Sequence, residues 1–451
     1  MAKDKMLSLL HDAYFGVGLF EDGKGLRQHP RESIENFQDR QGLAYYLNYT
    51  APIVNAAVDP IFKDDIPRDY NDSKLFEAFL TDCDRSGTSY QKFCKNAATQ
   101  AKLYGCCYVI VDNYAAQEEA LSAAVENRHI PFLKLVLPNQ VKDWALDDYG
   151  NLTMFQYTEE IQVAANEKKT TDYTWTAEEW KIGAGENAQN GPNLLRKIPV
   201  VMWRARETKK NQIKPPSEYI SIAQVNYFLY QLCSWHTQIL RDQAFNILTM
   251  PDSSGVEVTV GTNNVLAYPP DATHTPAFIS PSAEPTNMLT DHMDRLIKEM
   301  FRMSGLDSVV GVRTDASKSG VAKQWEFEKT NQKLADFAVM CEAADEMIVK
   351  LFGEWSNEDI GYDCEYPRDF KINDVIDSLN SAQAALDLGF ESITYKREVM
   401  KKVLAAYMPN VPPDVYDKML DEVEAAMQDE AMDKSYRNDN VGDRDEPNGN
   451  E

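Results

Sequence analysis

Residues 219–248, YISIAQVNYFLYQLCSWHTQILRDQAFNIL, decide how the rest of the chain is read. Pro215 and Pro216 close off what precedes them, and Ser217 stands where a helix N-cap is expected. No Pro or Gly interrupts the run, and apolar side chains recur around nearly its whole circumference. The pattern predicts a helix of about 45 Å that must be covered on most sides by protein or by lipid. Gln224, Asn226, Gln231, His236, Gln238, Arg241 and Asp242 are too many polar groups for a bilayer span, so the cover is protein.

Downstream, Met250 to Pro285 holds six prolines and two strand-like runs, Val256 to Val260 and Asn264 to Tyr268. Thr286 then stands as the cap of a second helix. Leu289, Met293, Leu296, Ile297 and Met300 recur there at helical spacing, and Gly305 ends it. A small-residue loop, Ser308 to Lys318, follows. The last long helix starts near Ser319-Gly320. Its stripe of Leu334, Phe337, Ala338, Cys341, Ala344, Ile348, Leu351, Phe352 and Trp355 fits a 3.6-residue period. The polar run Glu328 to Lys333 separates that stripe from Val321, Trp325 and Phe327, and a bend is expected there.

Two antiparallel helices around a β insert, then a loop and a long interrupted helix, resemble the portal proteins of tailed bacteriophages. Four strings strengthen the likeness: Ser319-Gly320-Val321-Ala322-Lys323 with Glu326, Glu328 and Thr330; Glu365 to Phe370; Ile198 to Val201; and Leu103 to Val111. The resemblance implies an α+β fold, with a mainly helical stem and crown, an α/β wing and a small β-containing clip. By order of parts, 1–216 is the N-terminal part of the wing, 217–250 the first stem helix and 251–285 the clip. The second stem helix is 286–306, the tunnel loop 307–318, and the kinked wing helix with its strand 319–371. The crown is 372–428, and 429–451 is a disordered acidic tail.

The same resemblance implies a ring of twelve subunits at one capsid vertex, meeting head to tail. Such a ring would supply the neighbours that an all-round apolar helix needs beyond one hairpin partner. Double-stranded DNA would pass through the channel, driven by a separate terminase large subunit. Major capsid and scaffold proteins would meet the wing, and a head–tail adaptor would later replace the motor. The implied location is the virion, after assembly in the host cytoplasm. Two other readings fit the same elements: a soluble enzyme with an α+β core and helical C-terminal domain, or another phage head component.

A formal charge of −25 over 451 residues argues against a free-standing nucleic-acid binder, which carries a basic footprint. It is compatible with a channel that lets DNA slide, because affinity for duplex grows with each phosphate neutralised. The seven cysteines are odd in number and contain no C-x-x-C pair, which favours buried free thiols. There is no signal-peptide pattern and no clean membrane span, so no membrane partner is expected.

Gly16, Gly18, Gly23 and Gly25 lack the preceding strand of a phosphate cradle and read as a flexible connector. Helical patterns follow across 31–62, 73–82 and 89–104, the last running into a strand at Cys107–Val111. Strands are expected at Phe132–Val136, Leu152–Tyr157, Asp172–Ile182 and Pro199–Trp203, and crown helices at 373–388, 391–407 and 412–428.

No P-loop, G-x-S-x-G or H-E-x-x-H string occurs, and the six histidines are scattered, so no catalytic set, metal site or cofactor is expected. The candidate functional residues belong to the channel. Val309, Val310, Gly311, Val312, Arg313 and Lys318 would present apolar tips and one or two weak phosphate contacts to DNA. The alternative reading places Val309, Val310 and Val312 as core between two helices. Arg295, Lys298 and Arg302 share a helix face. Two placements suit them: the stem lumen, or a solvated face paired with Asp291, Asp294 and Glu299. The insert 251–285 has no Lys or Arg, which favours protein docking over a grip on DNA.

Overall fold

Capping serines and one left-handed glycine set out the first third of the chain. Helices α1 (Ala2–Phe15), α2 (Ile34–Gly42), α3 (Thr50–Ala56), α4 (Lys74–Thr81) and α5 (Tyr90–Tyr104) are joined by short connections, with a two-residue strand β1 at Arg68–Asp69. Ser33 accepts from the Asn36 amide at the start of α2, and Ser73 from Phe76 at the start of α4. Gly105 ends α5 at φ +91, where a Cβ would stand 2.8 Å from the Pro215 carbonyl oxygen. The chain can therefore turn directly into β2 (Cys106–Asp112).

The computed structural model describes residues 2–113, 130–164, 167–183, 188–244, 247–251, 264–268, 277–279, 282–305, 320–370, 383–385, 392–407 and parts of 415–425. The chain forms two compact units, Met1–Phe370 and Lys371–Glu451. In the second, a helix spans Ile393–Tyr407, Tyr395 donates to the Ala385 carbonyl and Tyr416 to that of Lys401, both at 3.3 Å. Most of the residues expected to form the crown, and the tail 429–451, lie outside the described residues.

In the first unit β2 is the centre of a three-stranded antiparallel sheet between β3 (Phe132–Val136) and β9 (Val200–Arg204). Both of its faces are covered, which is why it reads as a continuous apolar run. Cys107, Val109 and Val111 face one core, shared with α4, α5 and the last long helix, α8 (Gly320–Ser356). Cys106, Tyr108 and Ile110 face a second, built with the other sheet. That sheet is a meander of β4 (Val141–Leu146), β5 (Leu152–Ala164), β6 (Glu167–Thr176), β7 (Glu179–Ile182) and β8 (Gln189–Pro192). The expected strand Asp172–Ile182 is thus two strands. Thr176 Oγ1 accepts from the amides of Glu178 and Glu179 and turns the chain between them. Pairing to β4 stops at Tyr157 and pairing to β7 at Tyr173. Beyond them β5 and β6 continue as a two-stranded arm, from Thr158 opposite Asp172 to Ala164 opposite Glu167.

The third core joins α1, the Gly-rich turn, α3, α6 (Ile220–Gln243) and α7 (Glu284–Ser304). Its geometry corrects five readings of the sequence. Ser217 is not the N-cap: Tyr219 holds that place, while Ser217 Oγ accepts from the Tyr219 amide and donates to the Leu103 carbonyl. The helix does not run to Leu248. It ends at Gln243, and Ile247–Pro251 is a strand, β10, so β-branched and strand-paired residues override the apolar helical pattern. Thr286 does not cap α7, which begins two residues earlier with Pro285 in its first turn.

Last, most of the apolar circumference of α6 is covered within one copy over its first half, with Phe228 left partly exposed. Asn226 is fully buried. Its side-chain oxygen accepts from Tyr46 Oη and from the Thr50 amide and hydroxyl at 2.8–3.1 Å, and its amide donates to Leu47. Nor is the Gly-rich segment a flexible connector. Phe20 is buried against Tyr46 and Tyr230, and the Gly25 carbonyl accepts from Tyr227 and Gln231. Gly23 has φ +72 and a Cβ there would fall 2.7 Å from Gln41 Cα. Gly23→Ala is expected to cost more than about 1 kcal/mol, read as a lower urea midpoint with unchanged slope.

Candidate functional site: the helix pair and the cleft at its root

Helices α6 and α7 pack side by side through Leu229 and Cys233 on one and Met293, Ile297, Met300 and Phe301 on the other. Cys233 Sγ lies 3.9 Å from Met293 Sδ. Towards the far end the contacts become polar: Thr286 Oγ1 donates to Gln243 Oε1 at 3.0 Å, and Thr290 Oγ1 meets His236 Nε2 at 3.2 Å. Both helices leave large apolar groups partly in solvent, Phe228 and Leu240 on α6 and Met288 and Met303 on α7, with Phe228 edge-on to His292 across the pair. Single exposed side chains of this kind are ordinary, but here both helices of one pair carry them.

A small sheet closes the end of the pair. Strand β10 lies between β11 (Asn264–Tyr268), which it pairs in parallel, and β12 (Ala277–Ile279), which it pairs antiparallel. The sequence shows β11 through its alternating pattern. The other expected strand, Val256 to Val260, lies outside the described residues, as do the loop candidates Val309, Val310, Gly311, Val312, Arg313 and Lys318. Of the α7 cations, Arg302 pairs with Glu299 at 2.7 Å on an exposed face. Arg295 and Lys298 are exposed and make no ion pair among the described residues.

At the root of the pair is a cleft of about 520 Å³ where α5, the start of α6, the end of α7 and α8 meet. Its floor is Leu334 and Phe337 of α8 with Tyr219. Ser304, at the end of α7, lines one side. Lys102 is 8% exposed. Its Nζ lies 4.6 Å from the centre of the Phe337 ring and 3.8 Å from Glu218, beyond hydrogen-bonding distance. Burial holds this ammonium below the usual lysine range. Arg206 approaches the other oxygen of Glu218 at 3.7 Å, and Lys333 donates to the Ser304 carbonyl at 3.1 Å. Nothing in the sequence marks Lys102, because its neighbours in the cleft come from five distant segments.

Among the described residues no group of three or more His, Cys, Asp or Glu side chains is placed to hold a metal ion, and no helix is long and apolar enough to cross a membrane. All seven cysteines are buried, as the apolar settings of Cys106, Cys107, Cys233 and Cys341 suggest. Burial raises their thiols, Cys106 to about 11 and Cys364 to about 12, so they stay protonated and unreactive at neutral pH.

No protein-family model matches the sequence, and no curated protein is similar to it. Among solved structures the chain is similar to one described as the virion of a native gene transfer agent particle. The identity is 10% over 88% of this chain and 92% of that one, with a TM-score of 0.47. It is also similar to the neck of the native particle computed with C12 symmetry (11% identity, 82% and 93% covered, TM-score 0.46). A third is the neck of the empty particle computed with C6 symmetry (12% identity, 78% and 89% covered, TM-score 0.45).

Proposed function

We propose that this chain is a structural protein of a phage-like particle, and specifically a portal whose copies close into a ring around a DNA channel. The observation that carries the reading is the α6/α7 pair. Two helices lie side by side, a small sheet joins their far ends, and each leaves large apolar side chains partly in solvent. A pair that exposes apolar groups on both members is suited to a contact with further copies, head to tail around an axis.

On this reading Arg295 and Lys298 face the lumen as weak, exchangeable contacts to phosphate, and the 307–318 loop narrows the channel. The net charge of −25 keeps the duplex from adhering. The basic-free insert 251–285 docks the terminase large subunit and later an adaptor, while capsid and scaffold proteins meet the sheets of the first unit. Twelve is the copy number that the portal resemblance implies.

Light scattering with negative-stain imaging of the purified protein tests the assembly. Rings with a central pore are expected, and a stable monomer at micromolar concentration would overturn the reading. Replacing Val310 and Val312 with Asp is expected to leave rings intact and to lower DNA packaging or retention. Unchanged packaging would remove the loop from the channel.

A further inference from the structure

Lys102 presents an unusual local situation. The Lys102 side chain is nine-tenths buried and lines an open cleft, and the carboxylate nearest its ammonium, that of Glu218, stays at 3.8 Å, beyond hydrogen-bonding distance. An ammonium has three donors, and a carboxylate seated in the cleft within hydrogen-bonding distance would meet them better than Glu218 does at 3.8 Å. Glu218 and the other acidic groups around the cleft, Glu207 and Asp336, are exposed, so solvent weakens their hold on the buried charge. The floor beside it is apolar. The cleft is therefore shaped for a carboxylate carried next to an aliphatic side chain, and its volume is that of an ordinary ligand site.

The same chain carries such a group. The two-stranded arm of β5 and β6 projects past its neighbouring strands for six or seven residues, about 20 Å. A two-stranded ribbon is marginal by itself in water. Ile161 and Val163 on it are about half exposed. Ile161 is opposite Lys169, which makes Glu167 its diagonal cross-strand neighbour on the same face. Glu167 is exposed and makes no ion pair among the described residues. One member of this pair of features has a largely buried lysine held only loosely by an exposed glutamate, beside an apolar floor. The other has an unmet carboxylate beside exposed aliphatic groups.

We infer that the cleft is a carboxylate site for a second copy of this chain, filled by the neighbouring copy's arm with Glu167 against Lys102 and Ile161 on Leu334 and Phe337. The inference rests on the ring reading and deepens it. Arm and cleft are different patches, so the contact is heterologous and propagates head to tail until it closes. Because Ser304 lines the cleft, an arriving arm also bears on the end of α7.

Full-length protein with Glu167→Cys and Lys333→Cys, the latter at the exposed rim, provides the test. The seven native thiols are buried and do not compete. Mild oxidation followed by non-reducing electrophoresis should give a ladder of covalent multimers that either single variant lacks. A control pair with Cys at the exposed Tyr149 and at Lys333 should give none. Glu167→Lys should weaken assembly tenfold or more at an unchanged circular-dichroism spectrum, and Glu167→Gln by less. Rings without a ladder, or a bond formed only within one copy, would overturn the arm-in-cleft contact and leave the ring standing. Unmodified protein that forms no rings would overturn both.

Discussion

Asp345→Ala is expected to lower stability by about 3–5 kcal/mol, the cost of removing one partner from a buried ion pair. Asp345 lies on α8 and is fully buried. Its carboxylate accepts from Tyr90 at 2.6 Å, Tyr362 at 2.8 Å and Tyr366 at 2.9 Å, and pairs with Arg68 at 3.1 Å. Arg68 lies on β1, Tyr90 on α5, and Tyr362 and Tyr366 flank β13 (Asp363–Cys364), which pairs with β1, so one carboxylate fastens three stretches of chain to one helix. Without it the guanidinium and three hydroxyls are left buried and unpartnered. Denaturant unfolding of the variant checks the size of the loss. A change below about 1 kcal/mol would show that water or a rearrangement replaces the carboxylate.

The same cluster sets an alkaline limit. Burial first, and then the negative charge of Asp345, hold Tyr90, Tyr362 and Tyr366 well above the ordinary tyrosine value of 10.0. Unfolding releases them to ionise near that value. The unfolded chain therefore binds fewer protons than the folded one above it, and stability falls as pH rises. The thermal midpoint should show no loss from this cluster through neutral pH and should drop above about pH 10. Asp345→Asn, which deletes the charge but keeps the shape, should make that drop shallower.

Arg40→Ala is the second large loss, again about 3–5 kcal/mol. The Arg40 side chain is fully buried on α2 and donates to both oxygens of Glu32 at 2.8 and 2.7 Å, to Ser234 on α6 at 2.9 Å and to the Arg27 carbonyl at 2.8 Å. These hydrogen bonds hold the Glu32 carboxyl below its ordinary range. That part of the stability is present above the ordinary glutamate value and is lost as pH falls through the depressed one. Arg40→Met, which fills much of the space but pairs with nothing, separates packing from charge. If it proved as stable as the parent chain, the Arg40 pairing would contribute nothing net.

How much of this could be read in the sequence depended on whether the signal was local. The stripe on α8 is local, and Leu334, Phe337, Ala338, Cys341 and Ile348 are all buried. Gly305 ends α7 at φ +66, as a glycine after a periodic run should. The central strand at 106–112 shows in its unbroken apolar run. Strand β8, with the sequence QNGP, carries no strand signal at all, and exists because β7 offers it an edge. Strand β10 was hidden because Ile247 and Leu248 continue an apolar helix pattern without a break. The buried polar groups were the least legible. Asp345, Arg40 and Lys102 are three among 117 charged residues (71 acidic and 46 basic), and only the tertiary fold separates them from solvated ones.

The third core has a consequence for biosynthesis. Asn226 meets Tyr46 and Thr50 across 176–180 residues of sequence, and Arg40 meets Ser234 across 194. At ordinary elongation speeds the first helices leave the ribosome roughly 10–40 s before the helix that completes their core. During that interval Phe20, Ile53 and Val54 have no native cover from α6, so a nascent chain halted before residue 219 should be a client for chaperones or an aggregate.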